Sequence, residues 1–447
     1  MWPQRFDVNI GSSFEAHVAG GTRTIRVLGV EEHYEPDFWC AENPSRESLR
    51  EARVTLDVSG ERAVLRMRPY EMPAVVHGVR LYAELTRNWA ADCRYSKIED
   101  LHTDVRLSVL AADMPWGPED LVFPLREYRW RSSTYMNTWL SLVPFNSLYY
   151  HRGEDYGAIP NRVPVVAAEA GRVAVSPLPL GDGQSNGLSV RTSEGVEIRC
   201  AHMDLEGIPP RLTAGTEVAR GETLGRTGQT WAGRTCQTHD PHLHLGFHAE
   251  GTKFSPFPFM AAAYFRSFPD ELLPIAGGFA FTVPGRPIAL DGSRSLARPG
   301  ERIASYTWRL HDGQTVSGAQ AEVRYERPGY YAEELVIRSA SGAEDRDSIH
   351  VTVYDPARSE AHDIPRGWLH YAPARAIRPG TSVLFWNRLS GLAEVPEIEF
   401  GDGSARTTIE SQVEHAYARP GIFTVSVHGR GLRGEPVLAK LRVVVEP

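Results

Sequence analysis

The stretch Asp240-Pro241-His242-Leu243-His244-Leu245-Gly246-Phe247 alternates polar and apolar residues directly after a proline, a pattern typical of a β-strand. Side chains two residues apart on a strand lie on the same side of the sheet. We therefore expect His242 and His244 to share one face, while Leu243 and Leu245 pack into a core. Two adjacent imidazoles can bind a metal together, or one can bind it while the other acts on a bound water. The alternative is two surface histidines, and this stretch alone does not decide between the two interpretations.

The composition is that of a globular protein, and 447 residues are enough for three or four domains. The 40 glycines and 32 prolines, with many short Val, Thr and Tyr runs, favour an all-β, multidomain fold. A net charge of −8 gives no reason to expect nucleic acid or an anionic membrane as a partner. No run of about 18 apolar residues occurs, so we expect no membrane span. The first residues lack the pattern of a signal peptide.

Four cysteines fall in two regions, Cys40 with Cys93 and Cys200 with Cys236. Pairing within each region is the simplest arrangement. Two disulfides would indicate an oxidising compartment, the periplasm or the exterior, whereas free buried thiols are the alternative. No Cys-x-x-Cys spacing occurs, which argues against a zinc site made of the four cysteines.

Residues 1–125 predict a separate β-rich domain. The segments 54–58, 63–67 and 105–109 alternate polar and apolar residues as half-buried strands do. Gly60 predicts a hairpin between the first two of these strands.

Two other segments of the N-terminal part differ from this pattern. Residues 42–53 have charged residues at helical spacing, which predicts a short helix. Residues 111–150 are rich in proline and aromatic residues, and we expect them to form a connection that packs between domains, the alternative being that they line a substrate groove.

Two C-terminal segments, 279–356 and 375–447, share one order of features: a strand, an Asp-Gly turn, a Tyr-containing Pro-Gly corner and a final strand. This pattern resembles the polycystic-kidney-disease (PKD) repeat. The resemblance implies two immunoglobulin-like β-sandwiches that act as spacers or bind a surface polymer or a protein.

Between these parts, two further pieces carry groups that can bind a metal. His151-Arg152-Gly153-Glu154-Asp155 offers an imidazole and a carboxylate, with a glycine between them that permits a tight bend. Residues 198–204 predict a strand on which Cys200 and His202 share a face.

Five motifs follow one another along residues 126–270: His-x-Gly-x-Asp, Val-x-Ala-x-x-x-Gly-x-Val, Ala-His, Gly-x-x-Val-x-x-Gly-x-x-Leu-Gly and Pro-His-Leu-His-Leu. In this order they resemble the lysostaphin-like (β-lytic) zinc metallopeptidases. The resemblance implies a curled antiparallel sheet that binds one zinc ion per chain. It makes His151, Asp155 and His244 the zinc ligands, and His202 and His242 the catalytic histidines, without deciding which histidine takes which part. No Glu follows any histidine, so the helical His-Glu-x-x-His type of zinc peptidase is excluded.

The loop 229–240 is longer than the short turn usual in this family. It contains Cys236, and a disulfide to Cys200 would tether it if His202 and His242 both face one metal. Its other notable residues are candidates for a substrate groove, the alternative being a surface loop without function: Trp231, Arg234 and His239.

The resemblance implies a secreted or periplasmic zinc endopeptidase that cuts peptidoglycan at stem-peptide or cross-bridge amide bonds. A peptidase acting on Gly-rich proteins is one alternative. Another is a non-catalytic protein that binds the cell wall or regulates another hydrolase. A third is a proenzyme in which residues 1–150 cover the groove.

Overall fold

The computed structural model of the chain describes residues 1–18, 20–36, 47–91, 99–144, 148–231, 234–235, 240–355, 357 and 364–447, with the backbone alone for residues 144, 231, 234 and 235. Strands dominate these residues, and the prediction of an all-β, multidomain protein is confirmed. The described helices are α1 (Arg87–Ala91), α2 (Phe257–Ser267) and one 3-10 turn (Leu205–Gly207). Within the described residues, no helix has the length and apolar content needed to cross a membrane.

The N-terminal region consists of two four-stranded antiparallel sheets. Its strands are β1 (Gln4–Val8), β2 (Ser13–Val18), β3 (Gly21–Pro36), β4 (Glu47–Val58), β5 (Glu61–Met67), β6 (Ala74–Val76), β7 (Val79–Thr86) and β8 (Val105–Ala111). One sheet has the order β1-β8-β7-β6 and the other β2-β3-β4-β5, and apolar residues of both share one buried cluster. The three predicted strands are confirmed. Gly60 lies in the β4–β5 hairpin with a φ of 92°, which suits a residue without a Cβ.

The helix predicted over 42–53 is wrong where the structure describes it. Residues 47–53 belong to β4, which pairs with β3 and β5, and residues 42–46 lie outside the described residues. Leu49, Ala52 and Val54 are buried in the core shared by the two sheets. Burial against neighbouring strands outweighs the helical spacing of the charged residues.

The central region is built on one antiparallel sheet of order β17-β14-β15-β16-β21-β12-β9, with β22 paired to β21. Its strands and their neighbours are β9 (Met136–Asn137), β10 (Leu142–Pro144), β11 (Leu148–Tyr150), β12 (Glu154–Gly157), β13 (Pro164–Val166), β14 (Gly171–Val175), β15 (Leu188–Arg191), β16 (Glu197–Ala201), β17 (Glu217–Val218), β18 (Thr223–Arg226), β19 (Thr230–Trp231), β20 (Arg234–Thr235), β21 (His242–Ala249) and β22 (Thr252–Phe254). The histidine stretch is therefore a central strand. Leu243 and Leu245 are fully buried in the core on one face of β21, as predicted.

The aromatic connection at 111–150 packs between domains, as predicted. Trp130 and Trp139 are almost completely buried. The backbone N–H of Trp130 donates a hydrogen bond to the Tyr264 hydroxyl on α2 (2.8 Å). The Trp139 indole donates to the carbonyl of Glu84 in the N-terminal region (2.8 Å). The connection thus joins the N-terminal sheets to the central one.

The C-terminal region consists of two sandwiches that are joined edge to edge. The strands are β23 (Ala280–Thr282), β24 (Ile288–Asp291), β25 (Ile303–Arg309), β26 (Thr315–Ser317), β27 (Gln320–Val323), β28 (Gly329–Ser339), β29 (Glu344–Val353), β30 (Leu369–Ala372), β31 (Ser382–Asn387), β32 (Glu397–Glu399), β33 (Thr407–Thr408), β34 (Gln412–Ala416), β35 (Gly421–Arg430) and β36 (Pro436–Val445). One nine-stranded sheet takes strands from both predicted modules, with β28 beside β36. A buried ion pair between Arg442 and Asp345 crosses this seam.

The second sandwich also contacts the connection that leads into the central sheet. Its strand β30 begins before the predicted boundary at residue 375. The N–H of Leu369 donates to the Thr134 hydroxyl (2.9 Å), and the N–H of Thr134 donates to the carbonyl of Leu369 (3.0 Å). Segment 132–134 therefore lies against a strand of the C-terminal sandwich.

Two buried histidines at these contacts predict a loss of stability in acid. His350 accepts a hydrogen bond from the N–H of Lys440 (3.2 Å), and His370 contacts the Ser133 hydroxyl (2.9 Å). Burial lowers the pKa of each from 6.5 to about 3. Between these values the unfolded chain binds more protons than the folded one, so stability falls as the pH falls below 6.5. Each histidine contributes up to about 1.4 kcal/mol per pH unit.

The measurement is the free energy of unfolding from urea titrations at pH 7.5 and pH 5. A His350→Gln, His370→Gln variant is expected to show a smaller difference between the two pH values than the natural chain. An equal difference in both proteins would contradict the role of these histidines.

Candidate metal centre

Three side chains converge beside the N-terminal half of β21. Strand pairing places Asp155 on β12 directly opposite His244 on β21, and His151 comes from the turn just before β12. The Nδ1 atom of His244 lies 2.8 Å from Oδ1 of Asp155. The Nε2 atom of His151 lies 3.0 Å from the same oxygen and 3.1 Å from His244 Nδ1. Each residue thus directs one ligand atom to a common point, and these atoms all lie within 4.8 Å of one another.

The local backbone requires the glycine between His151 and Asp155. A Cβ on Gly153 would lie 2.4 Å from the carbonyl oxygen of Leu245 and 2.8 Å from the His244 ring, so no other residue fits without movement. Asn137 on β9 pairs with Asp155, and its Nδ2 donates to Asp155 Oδ2 (2.7 Å). This hydrogen bond orients the carboxylate and leaves Oδ1 directed to the cluster.

Two further histidines lie beside the cluster. The ring centroids of His202 and His242 are 4.5 Å apart, and Nε2 of His242 is 3.4 Å from Asp155 Oδ1. Nδ1 of His242 donates to the carbonyl of Asp240 (2.6 Å), and Nδ1 of His202 donates to the carbonyl of Thr230 (2.9 Å). A carbonyl can only accept, so each Nδ1 carries the hydrogen and each neutral ring has Nε2 as its basic atom.

The backbone places His202 in a way that strand alternation does not predict. Strand β16 ends at Ala201, and His202 has a φ of 60°, in the left-handed region. Cys200 is buried in the core beside Leu245, so the prediction that Cys200 and His202 share a face is wrong. The turn after β16 directs His202 to the site while Cys200 stays on the opposite face.

The electrostatics favour the protonation states that a metal site needs. Burial by itself would raise the pKa of Asp155, but the charges of His151 and His242 and the hydrogen bonds of His151 and His244 bring it well below its usual value. Burial lowers the pKa of His244, and burial together with His242 lowers that of His202. At neutral pH the site therefore contains an ionised Asp155 carboxylate and neutral imidazoles at His244 and His202.

This donor set fits a zinc ion. The three ligand atoms lie 2.8–3.1 Å from one another. Ligand atoms at about 2.0–2.1 Å from a tetrahedral zinc ion are roughly 3.3 Å apart, so all three can bind it with little movement. Two neutral nitrogens and one carboxylate leave a net charge of +1 and an open fourth position.

The family comparison agrees with the geometry. Residues 149–256, which contain all five side chains, match the model of peptidase family M23. This part of the chain is an M23 peptidase domain. Residues 274–353 match the PKD domain, which covers the first C-terminal sandwich. No curated protein matches the chain significantly.

Several solved structures are similar to parts of the chain. One is described as a candidate glycyl-glycine endopeptidase, LytM, of Ruminococcus gnavus, with 21% identity and a TM-score of 0.26 over 32% of this chain and 61% of that one. Another is SGBP-B of a Bacteroides ovatus mixed-linkage glucan utilization locus, with 17% identity and a TM-score of 0.16 over 39% of this chain and 47% of that one. The secreted serine protease VesC of Vibrio cholerae gives 10% identity and a TM-score of 0.21 over 94% of this chain and 90% of that one.

Several residues predicted around the M23 site stay predictions. Cys40, Cys93, Cys236 and His239 lie outside the described residues, as do the side chains of Trp231 and Arg234. Cys200 is a buried cysteine whose thiol pKa is raised by burial to about 12, and a disulfide between it and Cys236 stays a prediction.

The M23 site opens into a cavity of about 490 Å³. His248 also lines it, although its distance from His244 along β21 predicts a position outside the site. The other lining residues, besides the ligands and His242, were not singled out from the sequence: Tyr135, Tyr149, Arg152, Gln184, Ser185, Arg199, Ala201 and Lys253. Arg199 and Ala201 pair with Gly246 and His244 and so lie on the site face. Tyr135 and Tyr149 belong to residues 1–150 and line this cavity, whereas no described residue of 1–125 does, and self-inhibition by residues 1–150 stays a prediction.

The C-terminal sandwich contributes to the wall beside His242. The Tyr135 ring lies 4.7 Å from the His242 ring and 5.0 Å, edge to face, from the Trp368 ring. Trp368 also hydrogen-bonds the side chain of Asp240, whose carbonyl holds His242. Burial raises the pKa of Asp240 to about 6, although this hydrogen bond and two arginines oppose the shift. The segment before β30 thus supports the residue that fixes His242.

Proposed function

We propose that this chain is a zinc metalloendopeptidase, with one zinc ion per chain, that hydrolyses peptide bonds in bacterial peptidoglycan. The observation that carries the proposal is the convergence of His151, Asp155 and His244 beside two histidines with basic Nε2 atoms, within an M23 domain. The peptidoglycan substrate and a secreted or periplasmic location follow from the resemblance to lysostaphin-like enzymes. The PKD-like modules are proposed to bind a surface polymer or a protein.

The zinc ion, when bound by these three residues, lowers the pKa of a water molecule and polarises the peptide carbonyl. The chain supplies the proton transfers. His242, held through Nδ1 by the Asp240 carbonyl, presents Nε2 next to the cluster, and His202 is held in the same way by Thr230. One Nε2 accepts a proton from the attacking water and returns it to the leaving amine, while the other, once protonated, donates to the oxyanion.

Removal of the metal is expected to abolish hydrolysis reversibly. We expect purified sacculi to release peptide fragments with new amines in the presence of the full-length protein, and to release none after exhaustive treatment with a chelator. Addition of about one equivalent of zinc should restore the release. Mass spectrometry of the fragments identifies the bond, and a Gly-rich protein as a second substrate tests the alternative specificity.

Full hydrolysis by the metal-free protein would contradict the proposal. A zinc-loaded protein that binds sacculi without releasing amines during long incubation would instead identify a non-catalytic cell-wall-binding protein.

A further inference from the structure

Part of the cavity wall carries three cationic side chains, Arg152, Arg199 and Lys253, which we call the cationic wall. All three are half-buried and line the same cavity as the metal cluster. Among the described residues, the only carboxylate that lines the cavity is Asp155, which belongs to the cluster. The surface offered to a substrate beside the metal site is therefore strongly positive.

The charges of the cationic wall share one cavity. Burial lowers the pKa of Lys253, and the positive charges of Arg152 and Arg199 lower it further. His248 on β21 adds no charge at neutral pH, because burial and Lys253 lower its pKa to about 4. Half-buried like charges repel one another, and a bound anion relieves that repulsion.

Neighbouring residues hold Arg199 and position Lys253. Arg199 pairs with Asp182 (3.3 Å) and Ser185 (3.3 Å), and Gly187 makes room for it, since a Cβ there would lie 2.1 Å from the guanidinium carbon. Glu99, the one carboxylate that raises the pKa of Lys253, forms an ion pair with Arg106 and accepts the backbone N–H of Lys253. Within the described residues, no carboxylate lies within ion-pair distance of the Lys253 ammonium.

The cationic wall is next to the reacting centre. Arg152 follows His151 directly in the chain, and Arg199 lies two residues before Ala201, the strand partner of His244. An anionic group of a substrate bound to this wall would thus lie in the same cavity as the metal cluster.

We propose that the cationic wall binds a carboxylate of the peptide substrate close to the scissile bond. The inference rests on the proposed peptidase function and narrows its substrate class to peptides with a free carboxylate. Arginine and lysine bind carboxylates through charge-assisted hydrogen bonds, which are stronger than neutral ones. The carboxylate comes either from the C-terminus of the peptide or from an acidic side chain.

The test uses four N-acetylated glycine and alanine peptides of equal length, with zinc-loaded full-length protein. The first pair differs only in a C-terminal carboxylate or amide. The second pair ends in an amide and differs only in one internal Glu or Gln. Calorimetry gives Kd and amine release gives kcat/KM. We expect at least one carboxylate peptide to be favoured over its neutral partner by about tenfold, and the pair concerned identifies the source of the carboxylate.

The Lys253→Met variant should reduce this preference about tenfold, whereas the exposed, matched Arg162→Gln variant should keep it. A preference that survives Lys253→Met would come from the metal and would overturn the inference. So would equal or unmeasurable binding of all four peptides. A third outcome separates the two proposals. If neither sacculi nor peptides are hydrolysed but the carboxylate peptide still has the lower Kd, the proposed peptidase function is wrong and carboxylate binding by the cationic wall is retained.

Discussion

Replacing His244 with alanine is expected to remove both zinc and activity. The change deletes the Nδ1 atom that lies 2.8 Å from Asp155 Oδ1 and 3.1 Å from His151 Nε2. Two remaining ligands hold zinc poorly, so the metal content should fall from about one ion per chain to a small fraction of that value. Amine release from sacculi should fall by at least about a thousandfold. Elemental analysis and the amine assay measure the two effects.

The matched control for this variant is His102→Ala, which removes an exposed histidine of the N-terminal region. It should keep its zinc, its activity and the thermal unfolding midpoint of the natural chain. His244→Ala protein that binds zinc as tightly as the control would show that the cluster is not the metal site.

Replacing His242 with alanine is expected to separate proton transfer from metal binding. His242 is not among the three converging ligands, and its Nδ1 is committed to the carbonyl of Asp240. The variant should therefore retain about one zinc ion per chain. Its kcat should fall by about 10²–10⁴-fold, the usual contribution of a positioned general acid or base.

The pH dependence of kcat gives a second measure of this change. If His242 exchanges a proton during the reaction, the plot of kcat against pH should lose its acidic or its basic limb in His242→Ala and keep the other. Unchanged kcat together with full zinc content would leave proton transfer to His202 alone.

The shared face of His242 and His244 could be predicted from the sequence because alternation along a strand is a local rule. The set of His151, Asp155 and His244 followed from the resemblance to lysostaphin-like enzymes. The pairing of β12 with β21, which brings Asp155 opposite His244, joins segments that are distant in sequence. The position of His202 could not be predicted in this way. It depends on a single left-handed residue after β16, and the alternation rule applies only within the strand.

The remaining differences come from contacts between residues that are distant in sequence. Residues 47–53 form a strand because β3 and β5 flank them, although their own charge spacing favours a helix. Arg199 and Lys253 look like ordinary surface cations in the sequence, and only the folded sheet directs them into one cavity with the metal ligands. No local sequence pattern predicts that these two side chains line one cavity with the metal ligands.

The contact of Trp368 with Tyr135 and Asp240 has a consequence for how this chain can evolve and be engineered. A module that merely tethers an enzyme can be exchanged for another without altering turnover. Here the last sandwich touches Tyr135 and Asp240, the residues beside His242. Grafting a foreign binding module after Tyr354 is therefore expected to change kcat as well as the target, and a transplantable unit must include residues 364–447.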